Sequence, residues 1–310
     1  MPMRVKIWGV RGSIPTPGET TLRYGGNTPC VQVEIPPSEN EKDSGYVVFD
    51  AGTGIRNLGN EVVKACPNGQ LLRFYLFFTH LHWDHIQGLP FFSPLYRERT
   101  QIEVYGPDSS DLEGLLKNQM NPDYFPVTMD DDTVRAQIRF HLLSAEPVRI
   151  GPLTVRHHYV NHGPVGTAAG FRADSEEGSF VYIPDIEPYD YSAGLARSPH
   201  PEHREGEEKL IEFVRNADVM LFDTMFTEED YPRHIGWGHS PAKYAVEVAA
   251  EAGVKRLGLF HYAPLREDSD IDHLTAVLEE SGNKKGVEVF ASREGMVIEI
   301  EGKYPDVGGD

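Results

Sequence analysis

Three histidines and one aspartate within six positions are the residues of this sequence best suited to chemistry. His80, His82, Asp84 and His85 follow one another at spacings of one or two residues. Imidazole nitrogens and carboxylate oxygens are donors that zinc and other first-row metals take. A histidine-rich surface tract without a defined site is the alternative, but an apolar run leads directly into this segment and Gly-Leu-Pro follows it. The sequence therefore predicts a metal site at residues 80–85.

Further candidate side chains stand at the ends of apolar segments of strand length. These segments and the residues they deliver are 71–78 with His80, 179–184 with Asp185, 217–222 with Asp223, and 254–260 with His261. Short apolar runs bounded by turn residues are typical of buried strands. A side chain at the end of a strand is held by a rigid scaffold, as a functional site requires. We therefore expect alternating strands and helices that present these side chains where strands meet loops.

The remaining candidate ligand is His162, which lies in a loop just after a predicted strand. His157 and His158 within that strand face opposite sides, because strand side chains alternate, so at least one of them is not a ligand. His162 is the better placed ligand and His158 is the alternative. Two other histidines lie in a predicted surface loop at 188–206 and are not assigned to metal: His200 and His203.

The composition is that of a globular protein with an acidic surface. Hydrophobic residues make up 39% and charged residues 25% of the 310 positions, and the formal net charge is -19. A protein that binds a polyanion normally carries a basic face, and no Lys/Arg cluster of that kind is visible in this sequence. We therefore expect a small-molecule substrate and do not expect a long nucleic acid as a partner.

The cysteine content and the length of the apolar runs bear on where the protein is located, and the absence of linkers or repeats bears on its domain organisation. Cys30 and Cys66 are too few for a disulfide framework, and no basic and apolar leader opens the sequence. The apolar runs are too short to span a bilayer. We expect a cytoplasmic protein with no membrane partner, and a homodimer is left open. No Ser/Gly linker or repeat divides the sequence. We therefore predict one domain over residues 1–302 and a flexible tail at 303–310.

The order of the candidate residues resembles the five-motif order of the metallo-β-lactamase superfamily. The motifs are carried by Asp50, the segment His80-Leu81-His82-Trp83-Asp84-His85, His162, Asp185 and His261. This resemblance covers almost the whole chain. It implies an α/β protein with the four-layer αβ/βα sandwich of that superfamily, two β-sheets with outer helices. It also implies that Asp50 orients groups near the metals; the alternative is that Asp50 caps a predicted helix at 55–65.

The resemblance further implies a centre of two divalent metal ions. One ion would be held by His80, His82 and His162, the other by Asp84, His85 and His261, with Asp185 between them. The histidine at position 82 favours zinc, because redox members with a di-iron centre tend to carry glutamate there; manganese and iron are the alternatives. Two such cations lower the pKa of a shared water and neutralise phosphoryl oxygens, which favours hydrolysis without a protein nucleophile.

Three segments resemble the phosphodiesterase branch of the superfamily, which includes RNase Z and cyclic nucleotide phosphodiesterases. They are Val10-Arg11-Gly12-Ser13, Gly26-Asn27 and the stretch from Gly238-His239-Ser240 to His261. The resemblance implies that His239 protonates the leaving group, with Asp223 behind it where RNase Z has glutamate. The alternative is that His239 only caps or packs a helix start, for which Ser240 is a good N-cap. The candidate catalytic residues are Asp84, His239 and Asp223.

The spacing of the later motifs argues against RNase Z itself. Its long tRNA-clamping insertion usually lies between the third and fourth motifs, whereas a short hairpin separates His162 from Asp185 here. The acidic charge favours the same conclusion. The sequence thus predicts a dinuclear metal-dependent hydrolase that acts on a small phosphodiester such as a cyclic nucleotide. The alternatives are an RNase Z-like endoribonuclease, a thioester or lactam hydrolase, and a non-catalytic metal-binding sensor.

Overall fold

The computed structural model describes residues 2–34, 45–67, 69–107, 111–192 and 198–301. In these ranges the strands are β1 (Met3–Gly9), β2 (Cys30–Glu34), β3 (Gly45–Phe49), β4 (Leu72–Phe77), β5 (Thr100–Gly106), β6 (Gln137–Leu142), β7 (Val148–Ile150), β8 (Leu153–Asn161), β9 (Thr167–Ser175), β10 (Gly178–Ile183), β11 (Val219–Asp223), β12 (Arg256–Phe260), β13 (Glu288–Ala291) and β14 (Val297–Ile300). The helices are α1 (Ile55–Ala65), α2 (Trp83–Ile86), α3 (Leu112–Asn118), α4 (Pro201–Val214), α5 (Ala242–Glu251) and α6 (Asp268–Lys285).

The strands form two seven-stranded sheets with the same internal plan. The first has the order β14-β1-β2-β3-β4-β5-β6 and the second the order β13-β12-β11-β10-β9-β8-β7. In the first sheet β14, β1, β2 and β3 pair antiparallel, and β3 to β6 pair parallel. In the second sheet β7 to β10 pair antiparallel, and β10 to β13 pair parallel. The ends of β4, β10, β11 and β12 therefore belong to the parallel halves, where loops after the strands can converge.

Aromatic side chains fill the space between the two sheets. Phe49 of the first sheet stacks on Phe171 of the second with ring centroids 5.2 Å apart, and lies 5.7 Å from the ring of Tyr182. Phe77, at the end of β4, packs edge-on against Phe171 at 5.5 Å. Aromatic pairs of this kind contribute about 0.5–1.5 kcal/mol each beyond their buried area. These contacts hold together the strand ends that carry the candidate site.

Helices cover the outer face of each sheet. On the first sheet α1 buries Ile55, Leu58 and Val62, which recur at helical spacing. On the second sheet α5 buries Tyr244 and Val248 against the strands. The layers are thus helix, sheet, sheet, helix, and the predicted four-layer αβ/βα sandwich is confirmed. One domain over residues 1–302 stays a prediction, and the tail predicted at 303–310 lies outside the described residues.

Two helix boundaries differ from those predicted. The segment 188–206 is not a loop throughout, because α4 begins at Pro201 and extends to Val214. Its first two turns contain only Pro, His, Gly and charged residues, so the apolar periodicity becomes visible only near Leu210. Ser240 is not the N-cap of α5, since Pro241 occupies that position and the buried Ser240 Oγ donates a hydrogen bond to the carbonyl oxygen of Ile186 at 2.5 Å. Tertiary contact replaced the local cap in that case.

Within the described ranges, every helix is too short or too polar to cross a membrane. Cys30 is buried and Cys66 is partly exposed, and both are free thiols. A cytoplasmic location stays a prediction.

A buried carboxyl group between α4 and α5 predicts how stability depends on pH. Glu207 accepts hydrogen bonds from the Tyr244 hydroxyl at 3.0 and 2.9 Å, and from the backbone N–H of Tyr189 at 3.3 Å. Burial raises the pKa of Glu207 to about 7, although these hydrogen bonds oppose the rise. Between pH 4.5 and that value the folded state holds a proton that the unfolded state has released. The free energy of unfolding should therefore fall as pH rises through this window.

We expect Glu207→Gln to remove this pH dependence. At pH 8 the variant should gain up to about 3 kcal/mol in its free energy of unfolding over the natural protein, and at pH 4.5 the two should agree. Urea denaturation at a series of pH values measures both slopes. Glu208→Gln, exposed on the same helix, is the matched control and should change stability by less than about 0.5 kcal/mol. Parallel slopes for Glu207→Gln and the natural protein would show that Glu207 titrates normally.

Candidate metal centre

The structure brings the seven predicted ligands together at one end of the sheet pair. Two neighbouring groups have their donor atoms within 4.8 Å of one another: His80, His82, His162 and Asp185 in the first, and Asp84, His85 and His261 in the second. Six of these side chains are buried and His82 is exposed, so the centre opens to solvent beside His82. Their role as metal ligands stays a prediction, but their division into two groups matches the division that the resemblance implied.

Asp185 lies between the two groups with one oxygen towards each. Its Oδ1 is 3.1 Å from His85 Nε2 and 3.3 Å from His261 Nε2. Its Oδ2 is 3.7 Å from His80 Nε2 and 3.8 Å from His162 Nε2. The carboxylate is thus positioned to serve both halves of the centre.

The backbone turns sharply where the strands deliver these side chains. Asp50, directly after β3, has φ of 59°, and His261, directly after β12, has φ of 62°. A left-handed backbone at a residue other than glycine is uncommon and clusters at functional sites. The His261 ring packs directly against Gly12. A Cβ at position 12 would lie 2.6 Å from the imidazole ring, so a larger residue would clash with it. The adjacent Ser13 backbone N–H donates a hydrogen bond to Asp84 Oδ2 at 2.7 Å, so the Arg11-Gly12-Ser13 segment forms part of the wall.

Hydrogen bonds behind the histidines fix their orientation. His85 Nδ1 lies 2.8 Å from Asp50 Oδ2, and Asp50 also accepts hydrogen bonds from the Tyr182 hydroxyl at 2.9 Å and the Thr79 backbone N–H at 2.8 Å. His162 Nδ1 lies 2.8 Å from the Gly238 carbonyl oxygen and donates to it. Such partners set the tautomer and leave Nε2 facing inward. Asp50 therefore orients the centre and does not cap α1, whose N-cap position is Gly54.

Several buried atoms at the centre fit a divalent cation. Among the described residues, His80 Nε2, His85 Nε2 and Asp185 Oδ1 are buried without a hydrogen-bond partner. Unsatisfied buried polar atoms are costly, and cations bound by the two groups would satisfy these three. Burial lowers the pKa of His80 well below its ordinary value. Burial alone would raise the pKa of Asp185, but the imidazoles of His261 and His85 hold it well below its usual range. A neutral imidazole and an ionised carboxylate are the forms that ligate metals.

His239 and Asp223 form a hydrogen-bonded pair beside this cluster. His239 Nδ1 lies 2.9 Å from Asp223 Oδ2, and Asp223 is fixed by the backbone N–H groups of Met225 at 2.9 Å and Ile186 at 3.2 Å. Burial opposes protonation of His239, but the carboxylate of Asp223 outweighs it and raises the pKa of His239 to about 9. The imidazole is therefore suited to carry a proton at neutral pH, with Nε2 as the free donor. Its ring is also close enough to Asp185 and His261 to join them as a third group of potential ligands.

The other histidines lie apart from the centre. The ring of His158 packs near Phe213 at 5.4 Å, and that of His157 near Tyr159 at 5.1 Å. Within the described residues, neither of them belongs to a group of potential ligands, nor do His200 and His203. His162 is thus the histidine of this region that reaches the cluster.

Glu187 is a site residue that sequence reasoning missed. Its buried carboxylate accepts hydrogen bonds from the Tyr231 hydroxyl at 3.1 Å and from the backbone N–H groups of Gly236 at 2.5 Å and Gly238 at 3.0 Å. It thereby holds the loop that supplies the Gly238 carbonyl to His162. The sequence pattern predicts only that Glu187 belongs to a turn after Asp185. The signal that could have found it is the Gly236-Trp237-Gly238 loop, whose backbone donors need an acceptor.

We expect Glu187→Gln to lower kcat by ~10–100-fold, because loss of an outer hydrogen-bond partner at a metal site has effects of that size. The amide can accept from one glycine N–H and leaves the other without its partner. Steady-state assays, metal analysis and thermal melting measure the change, with Glu229→Gln, an exposed glutamate, as control. If KM rose while kcat stayed unchanged, Glu187 would not position the centre. A large drop in melting temperature would show that the variant is destabilised as a whole, which would also contradict this role.

Comparison with known proteins decides the family. A family model described as the Beta-lactamase superfamily domain matches residues 46–262, most of the 310-residue chain. The chain belongs to this superfamily. Membership confirms the predicted fold and the prediction of a metal-dependent hydrolase, and the His/Asp cluster fits a divalent metal site.

Similar proteins extend this assignment. Ribonuclease Z of Thermoplasma acidophilum is 28% identical and aligns over 96% of this chain and 97% of its own length. Among solved structures, unliganded yeast PDE1 superposes with a TM-score of 0.66 at 14% identity, covering 96% of this chain and 99% of that one. The short form of human tRNase Z gives a TM-score of 0.59 at 18% identity, covering 96% and 99%. At those identities the two structures show the shared fold alone.

The prediction that a long nucleic acid is not expected as a partner is wrong. Relatives that align with nearly all of this chain are ribonucleases by name, those of Thermoplasma acidophilum and Thermoplasma volcanium among them. The net charge led to the wrong prediction because the value of -19 is a sum over the whole protein. Binding of a polyanion depends on the charge near the site, to which bound divalent cations would add positive charge. The short β9–β10 hairpin between His162 and Asp185 is present, and a relative named ribonuclease Z nevertheless aligns with nearly all of this chain.

Proposed function

We propose that this protein is a dinuclear metal-dependent phosphodiesterase that cleaves RNA, the activity for which ribonuclease Z is named. The observation that carries the proposal is the His239–Asp223 pair placed against the seven-residue cluster. A paired, protonated imidazole is what an alkoxide leaving group needs. The similarity to a ribonuclease Z over 97% of that protein's length supports RNA over other substrates.

We assign the ligands by the two geometric groups. His80, His82 and His162 hold one cation, Asp84, His85 and His261 hold the second, and Asp185 lies between them. We propose zinc, because five of the seven donors are imidazoles. When bound, these cations supply Lewis acidity towards the phosphoryl oxygens and lower the pKa of a water at the site.

The chain's own residues then complete the reaction. Asp223 holds His239 through Nδ1, which leaves Nε2 to donate a proton to the oxygen that departs from phosphorus. Asp50 and the Gly238 carbonyl keep His85 and His162 in the orientation their ligand role needs. The exposed edge of His82 leaves the phosphodiester an approach from solvent.

A substrate panel tests the proposal. Protein reconstituted with zinc should contain about two metal ions per chain, since seven ligands exceed one tetrahedral site. It should cleave a precursor tRNA, and chelation should abolish this activity. Cyclic nucleotides, bis-p-nitrophenyl phosphate, an acyl thioester and a lactam complete the panel. Turnover of cyclic nucleotides with the RNA left intact would contradict an RNA substrate. Hydrolysis of the thioester or the lactam alone would contradict a phosphodiesterase. Metal binding without turnover of any substrate would indicate a sensor.

A further inference from the structure

A cavity of about 840 Å³ opens directly beside the candidate centre. His82, His162 and His239 form its inner end, and Phe226, Trp237 and Leu265 lie further out. Protein cavities that bind small organic molecules typically have volumes of about 300–1,000 Å³. The cavity is therefore large enough for a nucleoside whose linked phosphate reaches the centre.

One wall of this cavity is a continuous strip of aromatic rings. From His239 the strip passes to Phe226, whose ring centroid is 6.2 Å away, then to His234, stacked on Phe226 at 4.4 Å. It ends at Trp237, 4.8 Å from His234 and 63% exposed at the mouth. Leu265, 93% exposed, also lines the cavity. A large indole left this exposed beside a polar site offers a face on which a base can stack.

Hydrogen bonds hold the strip in place. His234 Nδ1 lies 2.8 Å from the Asp230 carbonyl oxygen, and the Trp237 backbone N–H donates to the His234 carbonyl at 3.0 Å. Glu187 fixes the glycines on both sides of Trp237. The ring at the mouth is thus presented by an ordered loop, which reduces the entropy that stacking would cost.

Charged groups in the wall suit the polar edge of a base. The Arg266 side chain is 10% exposed, donates from Nη2 to the Met225 carbonyl at 3.0 Å, and lies 3.8 Å from Asp230 Oδ2. Asp270 also lines the cavity. A planar ligand that stacks on aromatic rings and carries both donors and acceptors matches this lining better than an aliphatic one.

We infer that this cavity binds the nucleoside that bears the leaving oxygen, with its base stacked on Trp237. The inference rests on the proposed function in one respect, because it takes His239 as the proton donor. His239 lines the cavity, so the oxygen it protonates, and the nucleoside attached to that oxygen, lie on the cavity side.

Binding of adenosine to the zinc-loaded protein tests the cavity without any turnover. Adenosine carries no phosphate, so its binding reports the cavity and not the cations. By titration calorimetry, Trp237→Ala should weaken adenosine binding by ~5–150-fold, the range expected from base stacking of ~1–3 kcal/mol. Tyr124→Ala, at a similarly exposed aromatic (74%) that does not line the cavity, is the matched control and should not change adenosine binding. Ribose, which lacks a base, should not bind.

Kinetics provide the second measurement. Trp237→Ala should lower kcat/KM for an RNA substrate by the same ~5–150-fold with metal content unchanged, whereas Tyr124→Ala should leave kcat/KM for that substrate unchanged. Adenosine binding that depends on Trp237 in a protein that cleaves no RNA would overturn the proposed function and keep the cavity as a nucleoside site. No measurable adenosine binding, or equal losses with Trp237→Ala and Tyr124→Ala, would overturn the cavity inference whatever the substrate proves to be.

Discussion

Replacing Asp185 by alanine is expected to remove metal and hydrolysis together. Its two carboxylate oxygens lie 3.1–3.8 Å from four histidine nitrogens, two in each half of the cluster. Loss of an outer partner at a metal site already costs ~10–100-fold, so loss of a residue that we propose lies between two cations should cost more than that in rate. Elemental analysis after dialysis and steady-state assays on an RNA substrate measure the two effects.

Two companion variants make this result interpretable. Asp185→Asn keeps the shape and removes the charge, and it should lose metal as the alanine variant does if the charge binds cations. Asp123→Ala, at an exposed aspartate, should keep both metal and rate. Circular dichroism confirms that each variant is folded. Full metal content and full rate in Asp185→Ala would reduce Asp185 to a turn residue after β10.

Replacing His239 by alanine is expected to slow the reaction in a way that depends on the leaving group. If His239 protonates that group, hydrolysis of an alkyl phosphodiester such as RNA should fall by ~10²–10⁴-fold. A p-nitrophenyl ester should be affected much less, because p-nitrophenolate is stable as an anion and scarcely needs a proton. Assays of both substrates on the same zinc-loaded preparation give the ratio directly.

Metal content separates this role from the alternatives. His239→Ala should retain its metal, and a loss of metal would instead place His239 with Asp185 and His261 as a ligand, a grouping that the geometry allows. Asp223→Asn should give a smaller loss with the same leaving-group dependence, since Asp223 acts through the imidazole. His273→Ala, an exposed histidine on α6, is the matched control. Equal losses on both substrates would point to substrate positioning and not to proton donation.

The location of the candidate ligands could be predicted from the sequence because it is encoded locally. β12 ends at Phe260, the residue before His261, and β10 ends at Ile183, two residues before Asp185. Strands covered on both faces, by the opposite sheet and by outer helices, read as continuous apolar runs. A polar residue that interrupts such a run is therefore visible without any structure. The motif order along the chain then implied the fold, which the family match confirms.

Long-range properties could not be predicted in this way. The formal charge is a sum over all residues, and it led to the wrong conclusion about nucleic acid because it contains no information on where charges lie. The first turns of α4 carry so many charges that their helical period was hidden. Ser240 has the residue type of an N-cap, yet its hydroxyl is bound to Ile186. For Ser240, a contact outside the local sequence window determined the outcome.

By itself the sequence determined which residues stand at strand ends and in what order, and hence the superfamily and its metal-type donors. Only the tertiary structure decided which distant groups meet: Asp50 with His85, 35 residues apart, and Glu187 with Gly238, 51 residues apart. The same is true of the cavity that His239 shares with Trp237 and Leu265. Strand and helix patterns arise from neighbours two to four positions away, whereas these contacts form only when two packed sheets bring separate loops to one edge.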